Sequence, residues 1–420
     1  MSLLSEVSKT VLNAQLVYTK TTGSLLPSPS PSPSPSPSLV QPYVQTGTPV
    51  LIPDMLSNRY GLGAFDENTT TFAFPVARVD NSAIFHIFTN SAVTNAPPQF
   101  TLAATIPIAG ATTFGYMFSA ISHNGLVYAV TAPNDNILTG ALFVFTRPTI
   151  TSQVWSQVAT VYGAASGDTY GSAVSMSADG SVIAVGVPNK NGGVGETNVY
   201  NFDYATGVLS PVVTTLVGTD AVGPSNQGYA VKLSGDGQTV AVGGSNDAGG
   251  VGAVWMFKYN STTSTWSQTG SKLVPLTPNT FTGIGGSVSL SYDGTTLAIA
   301  SLTPSIVFLY FLNDDGTWVQ RQTIYPLGVA PLGQTYAVAL NDNGNVLTFD
   351  DWVGRGGVFV YNRQPDGLWV QNGAQRVATG ELITQFLYLS AMSPSGSMFA
   401  SVPTSAPPVP GNPIVFTIFQ

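Results

Sequence analysis

Two adjacent carboxylates, an indole and a guanidinium fall close together at Asp350, Asp351, Trp352 and Arg355. A ring supplies a stacking face, and carboxylates with a guanidinium supply directional hydrogen bonds, so this combination suits a sugar. The four residues are the expected ligand-binding group. The plainer reading is an Asp–Arg pair with Trp352 packed between elements. The other carboxylate pairs are less promising. Asp66-Glu67 lies at a degenerate hairpin turn, and Asp314-Asp315-Gly316 is explained by turn chemistry. The two histidines are His86, within the apolar run Ile84–Phe88, and His123, beside a hairpin turn. They share no metal-ligand spacing and are read as structural. No nucleophile-elbow motif is present, and the absence of cysteine removes thiolate chemistry. The expectation is a protein without catalytic residues, metal or cofactor, and hence not an enzyme.

The elements that position these residues repeat. Leu290-Ser291-Tyr292-Asp293-Gly294-Thr295-Thr296-Leu297-Ala298-Ile299 aligns without gaps on the stretch from Met176 to Val185 and on that from Leu233 to Val242. Weaker copies turn at Asn124-Gly125, Asn343-Gly344 and Ser395-Gly396, and the most degenerate at Asn68-Thr69. Spacings between first turn residues are 56, 55, 57, 57, 50 and 52, which signals a repeat architecture of seven units. Asp-Gly or Asn-Gly between alternating apolar residues predicts a two-residue type I′ hairpin, with both central residues at positive φ. Each unit then adds an apolar third strand, such as Ala253–Phe257, and a fourth opened by a large residue. Trp155, Trp266, Trp318 and Trp369 recur at that place and should pack between units. About fifty residues in four short strands is the size of a propeller blade.

The last unit stops at its third strand, 414–419, while Tyr43–Val50 matches a fourth strand in spacing and character. The expected fold is all-β: a seven-bladed β-propeller of four-stranded blades, closed by N-terminal strand 43–50 completing the C-terminal blade. Closure would remove the exposed edges that an open array leaves. Ahead of the repeat domain, 39–420, lie a leader at 1–26 with possible helical spacing and a strict Pro-Ser alternation at 27–38. Alternating proline favours extended polyproline II, so 27–38 is a semi-rigid linker.

Composition narrows the function classes. Charged residues are 8% of the 420, and the net charge is −8 with 13 Lys+Arg. Without a basic stripe, nucleic acid and anionic membrane are not expected partners. No apolar run reaches the length of a membrane span, so no membrane insertion is expected. The N-terminus does not read as a secretory signal, which points to cytoplasmic synthesis and leaves the sequons at Asn68 and Asn260 unused.

The pattern of Tyr170-Gly171, Asp179-Gly180, Ala184-Val185-Gly186-Val187-Pro188 and Gly192-Gly193-Val194-Gly195 resembles the FG-GAP repeat of integrin α-chain propellers. The variant with Ser-x-Asp-Gly, Gly-Ala-Val-Trp and Thr-Trp-Ser-Gln resembles surface proteins of large algal DNA viruses and bacteria. The resemblance implies a propeller with a ligand-binding or adhesive role. The family's calcium loop is absent: Pro133–Asn136, Pro188–Asn191 and Ser245–Ala248 hold one carboxylate or none, too few for a hard cation. The resulting expectation is a virion- or particle-surface attachment protein, its leader bound to a coat or capsid protein and its head to a host glycan or protein. The alternatives are a cellular protein-binding scaffold and a carbohydrate-active enzyme using Asp350 or Asp351.

Overall fold

A computed structural model describes residues 50–52, 62–78, 82–90, 99–111, 116–212, 215–276, 281–326, 333–351, 357–375, 387–403 and 414–419. Pro42–Gln420 forms one compact unit. The expected leader and Pro-Ser linker lie outside the described residues.

The described chain is all-β apart from four-residue helical turns. After β1 (Val50–Ile52), one sheet is built of β2 (Ala64–Phe65), β3 (Thr71–Ala77), β4 (Ala83–Asn90) and β5 (Phe100–Pro107). The second holds β6 (Phe118–Ile121), β7 (Val127–Ala132), β8 (Ala141–Thr146) and β9 (Ser156–Tyr162). The third holds β10 (Ala173–Met176), β11 (Val182–Val187), β12 (Glu196–Asp203) and β13 (Val208–Pro211). The fourth holds β14 (Gln227–Leu233), β15 (Thr239–Gly244), β16 (Ala253–Asn260) and β17 (Thr265–Gln268). The fifth holds β18 (Ser287–Leu290), β19 (Thr296–Ser301), β20 (Ile306–Leu312) and β21 (Trp318–Ile324). The sixth holds β22 (Val338–Leu340), β23 (Val346–Asp351), β24 (Gly357–Arg363) and β25 (Trp369–Gln371). The seventh takes β26 (Leu387–Met392), β27 (Phe399–Pro403) and β28 (Ile414–Phe419), and its fourth member is β1. β1 runs antiparallel to β28 with Val50 opposite Phe416. Of the expected closing strand 43–50, only Val50 is described, and the pairing continues beyond it to Ile52.

Strand alternation explains why second strands such as β15 and β19 are mainly apolar. In β15, Val240 and Val242 pack toward the third sheet, and Ala241 packs toward the fifth. Such a strand is covered on both faces, so both sets of alternate positions favour apolar side chains. The core is therefore a series of sheet-to-sheet layers. Phe85 and Ile87 of the first sheet meet Tyr128, Phe145 and Trp155 of the second. Met398 and Ala400 of the seventh meet Phe65, Phe72 and Phe74 of the first. Trp266 and Trp369 are buried in such layers, as their recurrence predicts.

The sheets approach most closely where a side chain has been deleted. A Cβ on Gly186 would stand 1.8 Å from the Gly228 carbonyl oxygen, and one on Gly243 would stand 2.0 Å from that of Gly285. The glycine next to the end of β11 and of β15 lets the next sheet's first strand pass against its backbone.

The repeated turn departs from the expected type I′ geometry. At Ser177-Ala178-Asp179-Gly180 the Gly180 amide donates to the Ser177 carbonyl, and of the turn only Gly180 has positive φ, +80°. This is a type I turn closed by a left-handed glycine, the longer hairpin connection. The preceding serine makes the longer loop possible. The Ser177 hydroxyl accepts the Val182 amide at 2.9 Å and donates to Asp179 at 2.6 Å. The same amide is accepted by Ser122, Ser234, Ser291 and Ser393, and by the side chains of Asp66 and Asn341 in the degenerate copies.

Candidate functional site

The residue after each of these five serines, or after Asp66 and Asn341, is Glu67, His123, Ala178, Gly235, Tyr292, Asp342 or Pro394. These residues bond to one another from sheet to sheet. The Glu67 amide donates to the His123 carbonyl at 3.0 Å, His123 to Ala178 at 2.7 Å, and Ala178 to Gly235 at 2.8 Å. Gly235 donates to Tyr292 at 2.8 Å, Tyr292 to Asp342 at 2.9 Å, and Asp342 to Pro394 at 2.8 Å. The main chain at this point belongs to neither ladder of its own sheet, so its donors are satisfied by the neighbouring sheet.

The side chains on this circuit carry the chemistry. His123 Nδ1 stands 3.7 Å from Asp342 Oδ2, an ion pair when the imidazole is protonated. The Tyr292 ring lies 5.4 Å from the His123 ring. Tyr292 occupies the space that a side chain at position 235 would need, since a Cβ on Gly235 would meet its ring at 2.2 Å. Asp342 is held above the ordinary carboxylate range by burial; His123 and Lys232 pull it down and Glu67 pushes it up. Lys232 lies on β14, on the face opposite Val231 and Leu233. Its ammonium is pushed below the ordinary lysine range by burial, with Asp342 opposing. Glu67, His123, Lys232, Tyr292 and Asp342 come from the first, second, fourth, fifth and sixth sheets, and together offer acids, bases, donors and an aromatic face.

The other ends of the inner strands carry a second group. Tyr116, Tyr229 and Tyr336 are each exposed by more than a third. Tyr336 is raised above the ordinary phenol range by burial, then by Tyr229, Asp350 and Tyr116. The Tyr336 hydroxyl donates to Gln334. Asp350 accepts the Tyr336 amide at 2.8 Å and the Ala337 amide at 3.0 Å. Of the expected ligand-binding group, Asp350 and Asp351 both end β23 with no exposed surface, and Trp352 and Arg355 lie outside the described residues. Asp350 thus fixes the entry to β22, the strand that carries Ala339 and Leu340 toward Asp342.

The remaining sequence candidates fall apart in space. His86 is buried in β4 and shares a 2.9 Å hydrogen bond with Thr105. Asp66 is buried and accepts the Thr70 and Thr71 amides. Asp247, the one carboxylate of its loop, binds the Lys272 ammonium at 2.5 Å and the Val222 amide at 2.7 Å. Among the described residues no group of three or more His, Asp or Glu is placed to hold a metal ion.

Sequence reasoning read His123 as structural and did not single out Asp342, because each stands alone in its own repeat. The available signal was the column they share. Its neighbours are Ser, Asp, Asn and Gly in nearly every copy, while this column changes between acid, base, aromatic and glycine.

No protein-family model and no curated protein matches the sequence. Solved structures do match in fold. A Bacteroides uniformis protein provisionally named a 6-phosphogluconolactonase aligns with TM-score 0.52 and 16% identity, over 76% of this chain and 84% of that one. A chain of the mitotic checkpoint complex aligns with TM-score 0.54 and 12% identity, over 96% of this chain and 99% of the other. The fold is therefore propeller-like, built of four-stranded antiparallel sheets.

These findings correct the expectation of a virion- or particle-surface attachment protein. The two solved structures above carry the names of a sugar-lactone enzyme and a cell-cycle assembly, and neither is named as a coat or attachment protein. An uncharged polar surface and a Pro-Ser stretch are properties of composition, which many unrelated proteins share.

Proposed function

We propose that the chain is a seven-bladed propeller of FG-GAP-like repeats, closed through the sheet its two ends share, and that it binds a small hydroxyl-rich ligand at the axis. Closure is supported by β2 lying beside both β6 and β26, and by the apolar layer between the seventh and first sheets. It is supported again by His123 meeting Asp342 across four sheets of sequence, which only a curled array permits.

The observation that carries the binding reading is the convergence of Glu67, His123, Lys232, Tyr292 and Asp342. A monosaccharide or sugar lactone offers donors and acceptors on all sides, and this group matches them with carboxylates, an ammonium, an imidazole and a phenol. Tyr292 adds a face on which a sugar ring can stack.

Calorimetric titration with monosaccharides, sugar acids and aldonolactones tests the reading. One class should bind, and His123→Ala and Asp342→Asn should each weaken it at least tenfold. Equal binding by these variants, or no binding by any class, overturns it.

A further inference from the structure

We propose that Tyr116, Tyr229 and Tyr336 form an open aromatic site for a small organic cation of the alkylammonium class, at the end of the first strands opposite His123 and Asp342. The inference rests on the curled array proposed above and is independent of the sugar site.

The first strands of the sheets are neighbours all the way round. β2 lies beside β6, β6 beside β10, β10 beside β14, β14 beside β18, β18 beside β22, β22 beside β26, and β26 beside β2. Each runs from a loop at one end to the circuit of turns at the other. Tyr116 stands two residues before β6, Tyr229 lies in the first half of β14, and Tyr336 stands two residues before β22. The second, fourth and sixth sheets thus each bring one ring to the same end, at alternate places round the axis. Local bonds fix the main chain there. The Tyr229 amide donates to the Asn226 carbonyl at 3.1 Å, and the Tyr336 amide donates to Asp350 Oδ1 at 2.8 Å. Beside Tyr116, the Met117 carbonyl accepts the Leu62 amide at 3.0 Å. The three tyrosines are 53%, 49% and 38% exposed, so their rings are not consumed by the core. Tyr229 and Tyr116 both lie within electrostatic reach of the Tyr336 phenol.

Charge selects the ligand. The two lysines in the described loops at this end are already held, Lys190 by Asp168 at 2.9 Å and Lys272 by Asp247 at 2.5 Å. Asp135, Glu196, Asp220, Asp350 and Asp351 then outnumber Arg78 among the described charges left there. The resulting negative field favours a cation. Phenol faces attract one that sheds its water easily, which an alkylammonium does.

Calorimetric titration of the full chain with choline tests the site, against 3,3-dimethyl-1-butanol, which has the same shape without the charge. Choline should bind, and the alcohol should bind about tenfold more weakly or not at all. Tyr116→Leu and Tyr229→Leu should each weaken choline binding several-fold, while Tyr116→Phe and Tyr229→Phe should keep it, because the ring face and not the hydroxyl makes the contact. No choline binding, equal binding of the alcohol, or equal losses in the Phe and Leu variants overturns the proposal. Sugar binding without choline binding strikes this site and leaves the axial sugar reading standing, and choline binding without sugar binding does the reverse.

Discussion

His123 and Asp342 face each other at 3.7 Å from the second and sixth sheets. Burial of Asp342, which outweighs the pull of His123, makes the pH response of the fold partly a property of this carboxyl. Its folded pKa is raised, by burial before any charge, above the ordinary aspartate value of about 3.9. Between those two values the folded state keeps a proton that the unfolded chain has lost. Stability should therefore fall as pH rises through that window. Asp342→Asn should remove this fall, read as the urea midpoint measured from about pH 3 to 7. An unchanged slope would show that Asp342 is not the group responsible.

The turn aspartates should act with the opposite sign. Burial alone would raise Asp179 and Asp293, but hydrogen bonds from Ser177 and Ser181, and from Ser291 and Thr295, outweigh it and hold both below the ordinary range. Their contribution is present above the unfolded pKa and is lost as pH falls through the folded one. The double variant Asp179→Asn with Asp293→Asn should lose less stability below about pH 4 than the wild type, measured by the same titration.

Gly235→Ala should destabilise the chain by about 1–3 kcal/mol, because the new methyl enters the Tyr292 ring. Tyr292→Ala should restore most of that loss in the double variant, a coupling a mutant cycle measures directly. Additive losses would show that Tyr292 does not fill the site in solution.

Arg147 is buried and donates to the Gly125 carbonyl at 2.7 Å and to Thr71 Oγ1 at 3.0 Å, with its guanidinium 4.8 Å from the Trp155 ring centroid. Arg147→Met should cost about 1–3 kcal/mol for each buried acceptor left bare. Arg147→Lys should not rescue it, since an ammonium cannot reproduce the planar fork. Chemical denaturation of the two variants decides this.

The repeat was legible because each copy needs the same local solution. Ser177, Ser234 and Ser291 must all accept the amide across the turn, and Gly180, Gly237 and Gly294 must all take positive φ. The turn type was misread because Asp-Gly alone does not reveal that the serine two residues earlier already belongs to the loop. The candidate site was illegible for a different reason. His123, Lys232 and Asp342 come from separate repeats, and nothing local to any of them marks its partner. Asp350 and Asp351 stood out for the converse reason. Their adjacency is conspicuous in sequence, yet both side chains are buried, and Asp350 is bound to main-chain amides.

Proline has no amide hydrogen, so Pro394 can accept in the main-chain circuit but cannot pass a bond onward to Glu67. The gap falls between the seventh and first sheets, and the seventh is the sheet in which β1 and β28 bring the two ends of the chain together. In the closed array proposed above, that junction would be held by the apolar layer of Met398 and Ala400 against Phe65, Phe72 and Phe74, without a main-chain bond between the turns. The seven turns are thus strung on six main-chain bonds in a single line from Glu67 to Pro394, a thread with two loose ends rather than a hoop.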